Sequence, residues 1–212
     1  GNSGPQAAGW FRREVRTPDD LRGLVIRISG LGGEVMKRLG ATPVLLGSTE
    51  LATALESGTI DAAEWIGPWN DLDLNLGRVA PFYFLPSFHE MGAALELTVN
   101  REALEKLPGD LRTLIATAAA ASANTVTAAF TGNNILAFEK LARQNVRVST
   151  FPDSVVTALA QESAAVLSDI AERSPMAREV YDAFMAFRAQ AEVYSAVTDA
   201  AVLSWRSQAM RP

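Results

Sequence analysis

The stretch Gly58-Thr59-Ile60-Asp61-Ala62-Ala63-Glu64-Trp65-Ile66-Gly67-Pro68-Trp69-Asn70-Asp71 decides how the rest of the chain is read. It opens on a glycine turn and a short apolar run, sets one acid beside a tryptophan, and stops at Gly67-Pro68, which a continuing helix or an inner strand would not tolerate. Ile60 to Trp65 therefore reads as a strand with Glu64 at its tip. In an α/β sheet, a carboxylate at the C-terminal edge of a strand faces the crevice where small ligands bind.

Upstream of that stretch, Leu24 to Ile28 reads as a strand, Ser29-Gly30-Leu31-Gly32-Gly33 as a tight turn, and Glu34 to Leu39 as a helix stopped by Gly40. Pro43 to Leu46 is a second strand, and Thr49 to Ser57 a helix capped by Thr49 or Ser48 and ended by Gly58. Three strands with two intervening helices predict a parallel sheet with helical crossovers, hence an α/β fold class. Thr17-Pro18-Asp19-Asp20-Leu21 is a turn or a single helical turn. The first residues, through Trp10-Phe11, are helix-like or strand-like with no capping element before them, so a truncated N-terminus is expected.

Downstream, Pro81 to Glu90 is aromatic and proline-punctuated and suits a crossing segment or pocket wall, while Ala94 to Val99 reads as a buried strand. Helices are predicted over Arg101 to Lys106, Asp110 to Phe130 and Leu136 to Arg143, followed by a strand over Val146 to Ser149. Phe151-Pro152-Asp153 opens a helix that runs to about Arg173. Met176 to Ser204 is a long closing helix whose apolar face, Val180, Phe184, Phe187 and Ala191, suits docking on another lobe or subunit.

At 212 residues and 22.7 kDa the chain can build one large core or two small lobes. A net charge of -5 leaves no basic footprint for nucleic acid. There is no cysteine and only one histidine, so thiolate chemistry and structural zinc are excluded, and any metal must be held by oxygen. Apolar tracts are read as broken by charge before they could span a bilayer, and the N-terminus has no signal pattern.

Arg27 lies inside an apolar strand, where it is either a bidentate clamp for a carboxylate or an edge residue facing water. Glu64 and Glu90 stand beside aromatic, glycine or proline residues; facing one cleft they would repel unless a cation sat between them, and otherwise they are unrelated rim carboxylates. His89 reads as a hydrogen-bonded packing residue, since no serine or cysteine nucleophile of fixed geometry is readable nearby. The Gly30-Leu31-Gly32-Gly33 run follows a strand like a dinucleotide fingerprint but has Val35 where a third small residue is wanted. A turn that brings a helix N-terminus toward an anion fits it better. The aromatic set Trp10, Trp65, Trp69, Phe82, Tyr83, Phe84 and Phe88 is mostly core, clustered at the two segments that carry the acids.

Gly1-Asn2-Ser3, Gln6, Gly9-Trp10-Phe11-Arg12, Leu24 to Arg27, Leu39 to Val44, Ala54 to Trp65, Thr98-Val99-Asn100 and Leu107-Pro108 together resemble the solute-binding subunit of tripartite ATP-independent periplasmic (TRAP) transporters. The Glu64-Trp65 pair and the glutamine before Trp10-Phe11 resemble the branch that binds 2-oxo and 2-hydroxy monocarboxylates. The resemblance implies a bilobed, periplasmic-binding-protein-like (type II-like) fold, here lacking most of its N-terminal lobe and ending in a long C-terminal helix. Residues 1–88 and 146–172 would form the second lobe, 89–145 a remnant of the first, and 173–212 the C-terminal long helix.

By the same resemblance Arg27 would grip the substrate carboxylate, with Gln6, Trp65 and Phe88 beside it. Gln6, Glu64, the Trp65 carbonyl and Glu90 would hold a cation. Glu64, Glu90 and a monoanion set against Arg27 balance a dication and leave a monocation one charge short, so calcium is expected, with sodium as the alternative. Implied partners are a small monocarboxylate such as lactate, pyruvate or a longer 2-oxo acid, and membrane permease subunits. The expected compartment is the periplasm, and a homodimer could form through the C-terminal helix. The rival expectation is a small α/β enzyme with Arg27 as clamp and Glu64 or Glu90 as general base.

Overall fold

The computed structural model describes residues 1–210. One mixed sheet holds β1 (Gly9–Phe11), β2 (Val25–Arg27), β3 (Thr42–Val44), β4 (Ala62–Ala63), β5 (Phe82–Phe84) and β6 (Arg147–Ser149) in the order β3-β2-β4-β1-β5-β6. β2 runs parallel to β3 and to β4, with α1 (Gly30–Arg38) and α2 (Ser48–Ser57) as the crossovers, so the expected parallel run is present on shorter strands. β1 is antiparallel to both of its neighbours, β4 and β5, while β5 and β6 are parallel. Its insertion depends on Gly9, at φ +128: a Cβ there would lie 2.7 Å from the Ala63 carbonyl oxygen.

The chain from Pro81 to Glu90 is not a crossing segment throughout, because its first part is β5, one place from the sheet's centre. Its aromatics are mostly core, as expected. Tyr83 stacks on Trp10 at 4.1 Å, and Phe84 lies 5.3 Å from Phe11 and 4.5 Å from Phe151. Leu51, Leu55, Ile60 and Leu76 pack with Trp10 and Tyr83 in one cluster, each fully buried and each contributing about 2 kcal/mol of transfer free energy.

Several local expectations are corrected. The glycine run does not precede its helix but forms the first turn of α1, with Ser29 as N-cap. α2 is capped by Gly47, because the Glu50 carboxylate reaches back to the Gly47 N–H at 3.0 Å. Ala94 to Val99 is not a strand. Only Ala94 forms a bridge, to Asn2, and Leu97 stays 63% exposed, because no described strand lies alongside to take up the remaining backbone groups.

After α3 (Pro68–Asp73) and the short α4 (Arg101–Glu105), the two helices expected over 110–143 are a single one, α5 (Gly109–Ala142). Gly132 costs only about 1 kcal/mol in a helix interior. The polar residues around it are satisfied in place: the Thr131 hydroxyl donates to the Thr127 carbonyl at 2.9 Å, and Asn134 Oδ1 accepts the Trp69 N–H at 3.0 Å. No charged residue separates Arg112 from Glu139, so the expectation that charge interrupts every apolar tract is wrong here. By length and composition alone α5 could cross a membrane. It also packs on α3, with Trp69 edge-on to Phe130 at 5.2 Å, and Ala137 and Leu141 are its buried residues.

α6 (Asp153–Ala171) follows β6. The closing segment is two helices rather than one, α7 (Pro175–Val197) and α8 (Asp199–Ala209). They part at Thr198, whose backbone leaves the helical region (φ -118, ψ -95) while its hydroxyl donates to the Tyr194 carbonyl at 2.8 Å. The chain divides after Ser163 into two compact units. Within the second, Val180, Phe184 and Phe187 are all more than half exposed.

Candidate functional site

Arg27 ends β2, which lies between β3 and β4, so it is not an edge residue facing water. Its side chain is 12% exposed, and its guanidinium is fixed at three points. Nη1 donates to the Glu64 carbonyl at 2.6 Å and to Glu64 Oε2 at 3.0 Å, and Nε donates to the Leu46 carbonyl at 3.3 Å. The group lies 4.7 Å over the Trp65 ring. Nη2 has no partner among the described residues, which leaves one edge of the fork for an incoming oxygen.

Glu64 follows β4, where its N–H extends the parallel pairing to the Arg27 carbonyl at 2.8 Å. It is 2% exposed. Burial pushes its carboxyl up to about 8; Arg27 pulls the other way, and Asp71 and Glu90 add to the rise. Burial outweighs the ion pair here, as expected where desolvation exceeds the Coulombic gain.

Gln6 is buried, with Nε2 donating to Ser3 Oγ at 3.1 Å and its carbonyl accepting the Ser87 N–H at 2.9 Å. Its Oε1 is buried without any hydrogen-bond partner. No hydrogen bond among the described residues ends on the Trp65 carbonyl oxygen. Two unpaired oxygens and a buried carboxylate are a donor set suited to a hard, oxygen-ligated cation, so the residues fit such an ion. Among the described residues no three acid or histidine side chains form a metal cluster by themselves.

The remaining expected residues are less direct. Glu90 is half-buried, with its N–H on Ser87 Oγ at 3.1 Å, and it acts on Glu64 through space. Phe88 lies against His89, ring to ring at 4.9 Å. His89 is hydrogen-bonded, as expected: Nδ1 lies 3.1 Å from Ser87 Oγ. Burial, and then Arg27, push its imidazole down to about 4, so it is neutral at ordinary pH.

Asp71 and Ser87 had not been singled out. Asp71 is fully buried and accepts the Trp10 indole N–H and the Tyr83 hydroxyl, both at 2.9 Å on Oδ2, and the Ile66 N–H at 3.3 Å on Oδ1. Burial pushes Asp71 up to about 6 despite those donors, and burial with Asp71 nearby pushes the Tyr83 phenol up as well. The acid thus ties β1 and β5 to the loop that carries Glu64 and Trp65. An acid two residues after Trp69, in the Pro68-Trp69-Asn70-Asp71 run, was the available signal for it.

Comparison with known proteins places this geometry. Residues 1–174 match the model of the DctP family, bacterial extracellular solute-binding protein family 7. The chain is 33% identical over 199 residues to a monocarboxylate 2-oxoacid-binding periplasmic protein of Nostoc sp., covering 94% of this chain and 55% of that one. A TRAP periplasmic solute binding protein from Pseudoalteromonas atlantica, solved with bound sodium and pyruvate, superposes with a TM-score of 0.90 at 34% identity, over 96% of this chain and 62% of that one. A TRAP solute binding protein from Bordetella bronchiseptica, a mixed-occupancy dimer with calcium and picolinate in one site, gives 0.93 at 34% identity, over 99% and 62%. This chain therefore spans little more than half the length of these relatives, and it belongs to the DctP family of TRAP solute-binding proteins.

Proposed function

We propose that the chain is the ligand-gripping part of a periplasmic receptor for a small 2-oxo or 2-hydroxy monocarboxylate, delivering it to membrane permease subunits without chemical change. The observation that carries this is Arg27: a buried guanidinium on an inner strand, held by Glu64 and Leu46 with Nη2 left over. A fork fixed in advance loses little entropy when it takes a carboxylate. Lactate, pyruvate and longer 2-oxo acids share that group, and the Nostoc and Pseudoalteromonas relatives support the class.

Gln6 Oε1, Glu64, the Trp65 carbonyl and Glu90 would hold a cation, with Phe88 and the Trp65 ring beside the acid. When bound, the ion supplies positive charge to the acid's oxygens and offsets the two glutamates. Charge balance favours calcium over sodium. Residues 1–88 with 146–172 are assigned to one lobe, 89–145 to part of the other, and 173–212, of which 211–212 lie outside the described residues, to a C-terminal segment. Its exposed Val180, Phe184 and Phe187, and the dimeric Bordetella relative, support self-association through that segment.

A raised Glu64 is also what a general base requires, which is the basis of the enzyme reading. Titration calorimetry of the protein against pyruvate, lactate and longer 2-oxo acids, with and without chelator, decides between them. Saturable binding of unaltered acid, lost with chelator and restored by calcium, is expected. Failure to bind any of the panel overturns the receptor, consumption of the acid makes it an enzyme, and indifference to chelator removes the cation.

A further inference from the structure

His89 is used neither by the clamp nor by the oxygen donors, yet two separate features hold its ring. A Cβ on Gly32 would lie 2.8 Å from the ring's Cγ and Cδ2. Gly32 sits inside α1 with no left-handed backbone to require glycine, so the room it leaves for the imidazole is what a side chain there would remove. On the other edge, Ser87 Oγ accepts the N–H groups of Glu90 (3.1 Å) and His89 (3.4 Å). Both lone pairs are thereby taken, and the hydroxyl hydrogen is left to donate to Nδ1 at 3.1 Å. Nδ1 is then bare, and the proton of the neutral ring is on Nε2.

Nε2 is buried without a hydrogen-bond partner and lies 3.9 Å from Glu64 Oε1, while Arg27 holds Oε2, the other oxygen of the same carboxylate. That gap is roughly 1 Å beyond a hydrogen bond, and a buried donor left unpaired is costly.

We propose that Gly32 and Ser87 fix His89 as its Nε2–H tautomer, so that it donates to Glu64 Oε1 and holds that carboxylate from the side opposite Arg27. A protonated Nε2 cannot ligate a cation, so His89 is a positioning residue and not a ligand. This rests on the receptor reading for its consequence, but the tautomer itself does not.

The chain's single histidine makes the test direct. Nitrogen-15 NMR of the protein, ion-free and then with calcium and pyruvate, is expected to show the Nε2–H tautomer, and Ser87→Ala to scramble it. His89→Leu should weaken calcium-dependent pyruvate binding by about tenfold or more, the worth of a hydrogen bond to a charged group. His89→Gln, which restores a donor, should recover most of that loss. Gly32→Ala should lose affinity like His89→Leu, because its Cβ would displace the ring. An Nδ1–H ring, an unaffected His89→Leu protein, or a glutamine variant no better than leucine overturns the proposal. Absence of pyruvate binding by the parent protein instead overturns the receptor reading, while pyruvate binding that ignores position 89 overturns only the role of His89.

Discussion

The sheet end around Glu64 and the outer faces of α5 and α7 are opposites. Around Glu64 an arginine, two acids, a glutamine and a histidine are taken out of water, with Arg27 at 12% and Glu64 at 3% side-chain exposure. On the helices, Leu114, Ile135, Val180 and Phe187 stand in water at 62%, 65%, 61% and 71%. Buried charge costs free energy unless it is paired, and exposed apolar area marks a surface made to be covered. The first region keeps its polar groups paired and out of water, and the second presents uncovered apolar area.

If that contrast is right, substitutions should separate cleanly. Arg27→Ala should have the largest effect, lowering affinity for the acid on the order of a hundredfold or more by removing the guanidinium that takes its carboxylate. Calorimetry checks this, and retained affinity would remove the clamp. Asp71→Ala strands the Trp10 and Tyr83 donors and should cost about 3 kcal/mol in urea unfolding, with α5 and α7 substitutions costing far less.

A third test uses pH. The Asp71 carboxyl is raised in the folded protein from 3.8 to about 6. Its protonated form therefore favours folding, a contribution fully present below pH 3.8 and lost as pH rises through about 6. Urea midpoints of the parent should fall across that window relative to those of Asp71→Asn, and parallel curves would refute the shift. The smallest expected effect on stability is that of Phe187→Asp, within about 0.5 kcal/mol, but it should change the sedimentation of the protein if this surface pairs with another. Unchanged sedimentation of a parent already associated would move the contact elsewhere.

The parallel run from β2 to β4 was legible because each strand and helix carries local punctuation: Gly58 stops α2, and Gly67-Pro68 ends the stretch after Glu64. β1 was harder, since three residues buried on both faces show no alternation, and its partners lie far along the chain. Ala94 to Val99 failed for the converse reason, having the composition of a strand without a described neighbour to make it one. In the site, Arg27 and Glu64 could be read from an ion in apolar surroundings. Ser87 and Gly32 could not, because their parts depend on a ring that reaches them only after folding.

The placement of β1 has a kinetic consequence. β1 sits between two strands that come much later along the sequence, bonded to Ala63 on one side and Phe84 on the other. During vectorial synthesis Trp10 and Phe11 must wait, unpaired and greasy, until the ribosome has released both partners. Closure of the sheet's middle is therefore a late, long-range event, and its transition state should be sensitive to changes at Ala63 and Tyr83 and indifferent to those in α1.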